Sequence, residues 1–152
     1  MKPAMPAFFM FDFEIGYIGL FLTSFFAATI IPISSEAFLI FMLTLEYEPF
    51  SCLIISTAGN TLGGWSNYVV GKIGNPVWLN LIGVSSRKIT NWKLKVQKYS
   101  YWLALFSWLP IIGDLLAVAL GFFRAPMVLS FIFIFIGKLL RYAILILGYH
   151  YI

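Results

Sequence analysis

Read for its runs of apolar and polar positions, the chain falls into four apolar blocks separated by short polar turns and one basic loop. Residues 15–45 carry no charge except Glu36, a run of 31 residues that is long for one membrane crossing and short for two, each of which needs about 20. The stretch Ile31-Pro32-Ile33-Ser34-Ser35-Glu36 interrupts this block. Pro32 removes a backbone donor and Glu36 adds a charge, and neither is tolerated in lipid without shielding. The pattern predicts a re-entrant hairpin that enters over 15–31, turns at Pro32, Ser34 and Ser35, and returns over 37–45. The alternative is a single tilted, proline-kinked helix with Glu36 snorkelling to the interface. Residues 50–71 then supply a full span. Residues 99–123 repeat the first pattern around Leu109-Pro110-Ile111-Ile112-Gly113-Asp114, again a proline, three residues and an acid, which predicts a second hairpin broken at Pro110 and Gly113. Residues 127–149 form the last span. Ahead of these blocks, residues 1–14 mix prolines, a Phe8-Phe9-Met10-Phe11 cluster and two acids, a pattern suited to the membrane interface, and no cleavable signal peptide is expected.

The polar positions inside the spans are the candidate chemistry. Gly59, Gly63, Asn67 and Gly71 recur every four residues, a stripe where another helix can approach closely. Ser56, Thr57, Asn60, Thr61, Ser66 and Asn67 make the same span polar, as a cavity lining is. Lys138 falls at the midpoint of the last span with Arg141 one turn away, where each cation costs about 2.5 to 3.5 kcal/mol on insertion scales. Glu36 and Asp114 are the acids available to answer them. Paired substitutions of Glu36 with Lys138 and of Asp114 with Arg141 are the natural test of whether the four charges meet.

Composition sharpens this picture. With 61% hydrophobic, 19% aromatic and 11% charged residues the chain is not a soluble domain. The net charge of +4 comes from cations placed between apolar blocks, so it reports topology rather than nucleic-acid binding. Lys72, Arg87, Lys88, Lys93, Lys95 and Lys98 lie in a loop without acids, which the positive-inside rule assigns to the cytoplasm, leaving Glu46 and Glu48 outside. Ser85 or Ser86 is positioned to cap a helix with Ile89, Trp92, Val96 and Tyr99 on one face and basic residues on the other, a helix suited to an anionic leaflet. Cys52 is the single cysteine, so no internal disulfide forms, and no metal or cofactor is expected. The one histidine, His150, sits at the C-terminal edge and no nucleophile and base stand together, so an enzyme is not expected.

A shift of 78 positions places Pro32 on Pro110, Glu36 on Asp114, Glu46 on Arg124 and Gly59 on Gly137. Each half is a hairpin plus one span, an odd number of crossings, so the second half is inverted relative to the first. The expected fold is therefore an all-α integral membrane protein built as an inverted repeat of a re-entrant hairpin plus one transmembrane span. It forms one domain over 1–152, with an interfacial segment (1–14), a first repeat (15–72), a basic cytoplasmic loop (73–98) and a second repeat (99–152).

The ordered motifs Ile31-Pro32-Ile33-Ser34-Ser35-Glu36, Gly59-Asn60-Thr61-Leu62-Gly63-Gly64, Ser107-Trp108-Leu109-Pro110-Ile111-Ile112-Gly113-Asp114 and Gly137-Lys138-Leu139-Leu140-Arg141-Tyr142 resemble those of the DedA family, also called SNARE-associated or VTT-domain proteins, and most closely its short YqaA-like branch. The resemblance covers about residues 20–148. It implies residence in the bacterial inner membrane, two re-entrant hairpins, and movement of phospholipids or polyprenyl-phosphate carriers across the bilayer with membrane lipids and protons as partners. Glu36 matches the acid of the family's first hairpin tip. Larger members carry another acid where this chain has Ala27, and arginines where it has Ser107 and Gly113, so the anion site here falls to Lys138 and Arg141. Two readings follow: a lipid or lipid-phosphate translocator in which Lys138 and Arg141 hold an anionic headgroup while Glu36 or Asp114 exchanges protons, and a structural membrane protein whose four charges form a static network.

Overall fold

The computed structural model describes residues 7–29 and 33–152, with side chains from Glu14 onward. Every regular element among these residues is helical: α1 (Ala7–Ala27), α2 (Ser35–Thr44), α3 (Pro49–Ile73), a 3-10 helix (Pro76–Ile82), α4 (Ser86–Lys98), α5 (Ser100–Leu105) running into a 3-10 turn (Phe106–Trp108), α6 (Ile112–Phe122) and α7 (Met127–Tyr151). Pro32, the expected first break, lies outside the described residues. The second break is where the sequence places it, with helix ending at Trp108 and resuming at Ile112. α1 begins at Ala7, within the segment expected at the interface, and runs without interruption into the apolar block.

Local chemistry sets the helix starts. Ser34 caps α2 by accepting from the Ala37 amide at 3.2 Å, Pro49 opens α3 where a missing donor costs nothing, and Ser85 caps α4 by accepting from the Lys88 amide. Of the two serines that could cap α4, the structure uses the first.

Two apolar cores lie along the molecule. Leu20 of α1, Leu39, Met42 and Leu43 of α2, Cys52 of α3 and Tyr142 of α7 form one. Tyr68 of α3, Ala104 of α5, Ala117 and Leu120 of α6 and Ile134 of α7 form the other. Thus α1 and α2 share one half, α5 and α6 the other, and α3 and α7 run through both in opposite directions. α2 folds back along α1: the Tyr47 ring that follows it meets Tyr17 edge-on at 5.2 Å, and Phe38 near its start reaches Gly19. At the far end, Arg124 donates to the Gly74 carbonyl and Gln97 of α4 to the carbonyls of Phe123 and Arg124, gathering the basic loop and the α6–α7 turn together.

Among the described residues, α7 is the one helix both long and apolar enough to cross a bilayer, with mean hydropathy 2.1. α3 equals it at 25 residues but carries the polar stripe. That stripe is divided between two neighbours. Gly59 and Gly63 lie against the α1 carbonyls of Phe21 and Phe25, whereas Gly71 lies against the Val118 carbonyl of α6, and Gly121 of α6 reciprocally meets the Tyr68 carbonyl. A Cβ at any of these positions has no room, so backbones touch where side chains elsewhere hold helices apart. Gly71→Ala or Gly121→Ala is expected to lower stability by about 1 to 3 kcal/mol through overpacking, measured as a melting shift in detergent. Gly148→Ala, facing open space, is expected to change nothing measurable.

Candidate functional site

The recurrence of proline, three residues and an acid acquires a structural meaning at the helix starts. Glu36 lies in the first turn of α2 and Asp114 in the first turn of α6, where unpaired amides and the helix dipole favour a negative charge. Between Pro110 and Ile112 the chain makes a tight turn: the Ile112 amide donates to the Pro110 carbonyl at 2.7 Å, and Ile111 takes φ 65° and ψ −58°. A β-branched residue rarely adopts this conformation, and such strain concentrates where a structure must aim groups into a site. Gly113 is packed so closely on the Ser107 carbonyl that no larger residue fits.

All four charged residues singled out in the sequence meet near the middle of α7. Lys138 Nζ donates to Asp114 Oδ1 at 2.9 Å, and Arg141 pairs with Glu36. The sequence expectation left the pairing open, and the two pairs are the other way round from those chosen for the paired substitutions, Glu36 with Lys138 and Asp114 with Arg141. The reason is geometric: residues three apart on a helix point about 60° away from each other, so Lys138 faces α6 while Arg141 faces α2. The pairs also differ in exposure. Lys138 is fully buried, whereas the Glu36 side chain is 25% exposed and that of Arg141 13%.

Glu36, Asp114 and Arg141 open into a cavity of about 550 Å³ bounded by Ser34 on one tip and by Pro110 and Ile111 on the other. Lys138 does not line it. Asn60 and Asn67 do, and each donates its amide to an α1-side carbonyl, of Ser24 at 3.0 Å and of Ala28 at 2.5 Å. Asn60 Oδ1 is buried without a protein partner among the described residues, an acceptor at the cavity wall. The expected polar lining of α3 thus narrows to these two asparagines. Ser56 and Ser66 bond back to the carbonyls of Cys52 and Leu62 on their own helix, and Thr57 and Thr61 are buried but do not line the cavity. Ser35 turns away from the cavity, its Oγ 2.7 Å from the Tyr142 hydroxyl. Tyr142 entered the sequence reading only as the last residue of the Gly137–Tyr142 motif and was given no role there.

With this geometry in hand, comparison with known proteins decides the family. Over 133 residues, 84% of this chain and 87% of the relative, it is 32% identical to the Inner membrane protein YqaA of Escherichia coli. The chain belongs to the YqaA-like branch of the DedA family. The YqaA protein of Shigella flexneri matches equally well, and an uncharacterized protein of Haemophilus influenzae is 29% identical over 136 residues. No family profile matches the chain, and no solved structure is similar to it. The YqaA likeness spans most of both proteins.

Proposed function

We propose that this chain is a multi-pass protein of the bacterial inner membrane that translocates a lipid or lipid-phosphate across the bilayer, with α1–α2 and α5–α6 as re-entrant hairpins of an inverted repeat. The observation that carries the reading is the cavity between the two tips, into which two carboxylates and an arginine open in a chain that is otherwise 61% hydrophobic. Charged groups at such a depth mark a path for a polar ligand more often than they serve packing. The pairing of tips from two related halves around α3 and α7 is the architecture of carriers that open alternately to either side. Arg141 is the group suited to an anionic headgroup and Glu36 the group suited to exchanging a proton with it. The full burial of Lys138 against Asp114 favours a fixed, structural role for that pair, so the static reading applies to half of the charge set.

Two measurements test this. In a Cys52→Ser background, cysteines at Tyr47 and His150 are expected to label from the periplasm and a cysteine at Arg124 from the cytoplasm; cytoplasmic labelling at position 47 would rule out the first hairpin. In reconstituted vesicles, a fluorescent phospholipid or polyprenyl phosphate is expected to reach the opposite leaflet faster than in protein-free vesicles. Equal rates for every lipid tried would overturn translocation.

A further inference from the structure

The basic loop between α3 and α5 takes no part in the translocator reading and carries a surface of its own. From Lys72 to Lys98 there are six cations and no acid; all six are exposed, and none is in an ion pair among the described residues. The apolar face expected on α4 is split in the structure. Ile89 is buried and Val96 packs against the second core, whereas Trp92 and Tyr99 are left exposed. At about 100° per residue, Lys88, Trp92, Lys95 and Tyr99 fall within about 60° of one another, so they form an outward stripe of alternating cation and aromatic about 16 Å long. Beside it the 3-10 helix Pro76–Ile82 presents Trp78, Leu81 and Ile82, the last two 85% and 75% exposed, and follows directly on the exposed Val70 and Ile73 at the end of α3.

We propose that this loop is a docking surface for anionic phospholipid of the cytoplasmic leaflet, with the 3-10 helix seated at the edge of the acyl layer and the stripe of Lys88, Trp92, Lys95 and Tyr99 on the headgroups. The proposal goes beyond the translocator reading and needs only that the chain resides in the membrane. Charge and polarity together choose the occupant. Six cations without a carboxylate partner require an anionic one, and aromatic rings interleaved with lysines match the headgroup layer: the rings sit at the boundary, and each lysine lays its stem along it with the ammonium at phosphate level. An acidic soluble protein or a nucleic acid would answer the cations but not Leu81 and Ile82, which stand on the segment that leaves α3 beside its own exposed apolar residues.

Contacts at both ends of the loop hold this surface in shape. Asn75 caps the 3-10 helix by accepting from the Val77 amide at 3.0 Å, Gly83 turns the chain at φ 88°, and Ser86 Oγ donates to Asn80 Oδ1 at 3.3 Å, which ties the 3-10 helix to the start of α4. At the other end, Gln97 donates to the carbonyls of Phe123 and Arg124, each at 3.2 Å. Gln97 lies nearly opposite the stripe on the helix, so the same bonds that hold α4 to the α6–α7 turn face Lys88, Trp92, Lys95 and Tyr99 outward. A surface fixed in this way loses little freedom when headgroups settle on it.

The test uses the full chain with Cys52→Ser and Asn91→Cys, a fluorophore attached at position 91 beside the stripe, in phosphatidylcholine bilayer discs. The probes are phosphatidylglycerol and phosphatidylcholine, each carrying a nitroxide quencher high on an acyl chain. Half-quenching is expected at an about tenfold lower fraction of the phosphatidylglycerol probe than of the phosphatidylcholine probe, and the preference is expected to vanish at about 1 M salt, where screening acts within about 3 Å. Lys88→Gln/Lys95→Gln is expected to cut the preference to about twofold or less with an unchanged melting temperature in detergent, since both side chains are exposed. Equal quenching by the two probes, without a salt response, overturns the proposal: the loop then touches the bilayer without reading its charge. Quenching by neither probe also overturns it and leaves a soluble acidic partner as the occupant. A preference that survives Lys88→Gln/Lys95→Gln undiminished removes the stripe from the site and overturns it as well. The comparison of the two probes needs no loop-lysine variant to fold, and lipid movement, measured separately, stands or falls apart from all of these results.

Discussion

Asp114→Asn alone is expected to reduce folded protein sharply, by about 3 to 5 kcal/mol of stability, and Asp114→Asn with Lys138→Met is expected to recover most of it. The single change leaves the Lys138 ammonium fully buried without its Asp114 partner, in a place where water cannot replace it. The double change removes both charges and leaves a methionine to fill the space between α6 and α7. The informative control is the mismatched pair. Asp114→Asn with Arg141→Met strands both Lys138 and Glu36 and is expected to be worse than either single change. Monodisperse yield and melting temperature in detergent for the four variants check the assignment, and strictly additive losses in all of them would mean that the charges do not meet.

The second large effect is expected from tying the two tips together. Ser34 and Ile111 come from opposite halves of the chain and line the same cavity. Cysteines at these two positions, in a Cys52→Ser background, are expected to be joined by a short cleavable bifunctional reagent. A carrier whose tips must part to expose the site to either side cannot work when they are linked. Lipid movement in vesicles is expected to fall about tenfold or more on linking and to return on cleavage. The same reagent placed between Tyr47 and Tyr17, which already touch within one half, is expected to leave transport unchanged.

What the sequence made legible was the position of each unusual residue, and what it left open was rotation about the helix axes. The second helical break could be placed because Pro110 and Gly113 act locally on the backbone, and the depth of Lys138 because it is counted along one helix. The partner of Lys138 could not be placed, since α7 offers Lys138 and Arg141 on faces about 60° apart and only packing decides which face meets α2 and which α6. The glycine stripe of α3 shows the same limit. A spacing of four residues advances about 40° beyond a full turn, so over the three steps from Gly59 to Gly71 the stripe winds through about 120° and serves α1 at one end and α6 at the other. The polar residues of α3 were divided by this winding too, Asn60 and Asn67 reaching the cavity and Ser56 and Ser66 spent on their own helix. Ile111 carried no local signal at all: a β-branched residue at positive φ is held there by the Pro110 turn and by the contact of Gly113 with Ser107, neither of which its own side chain announces.

The central claim is that the Glu36–Arg141 pair acts on a ligand and is not a fixture of the fold, and one variant separates these most directly. Glu36→Gln/Arg141→Met preserves the charge balance of the cavity, so a static role requires it to behave as the wild type. The measurement is the rate at which a fluorescent phospholipid changes leaflets in vesicles reconstituted with equal amounts of folded protein. The account predicts that the double variant folds and melts like the wild-type protein yet moves lipid no faster than protein-free vesicles. A double variant that folds and moves lipid at the wild-type rate would contradict it.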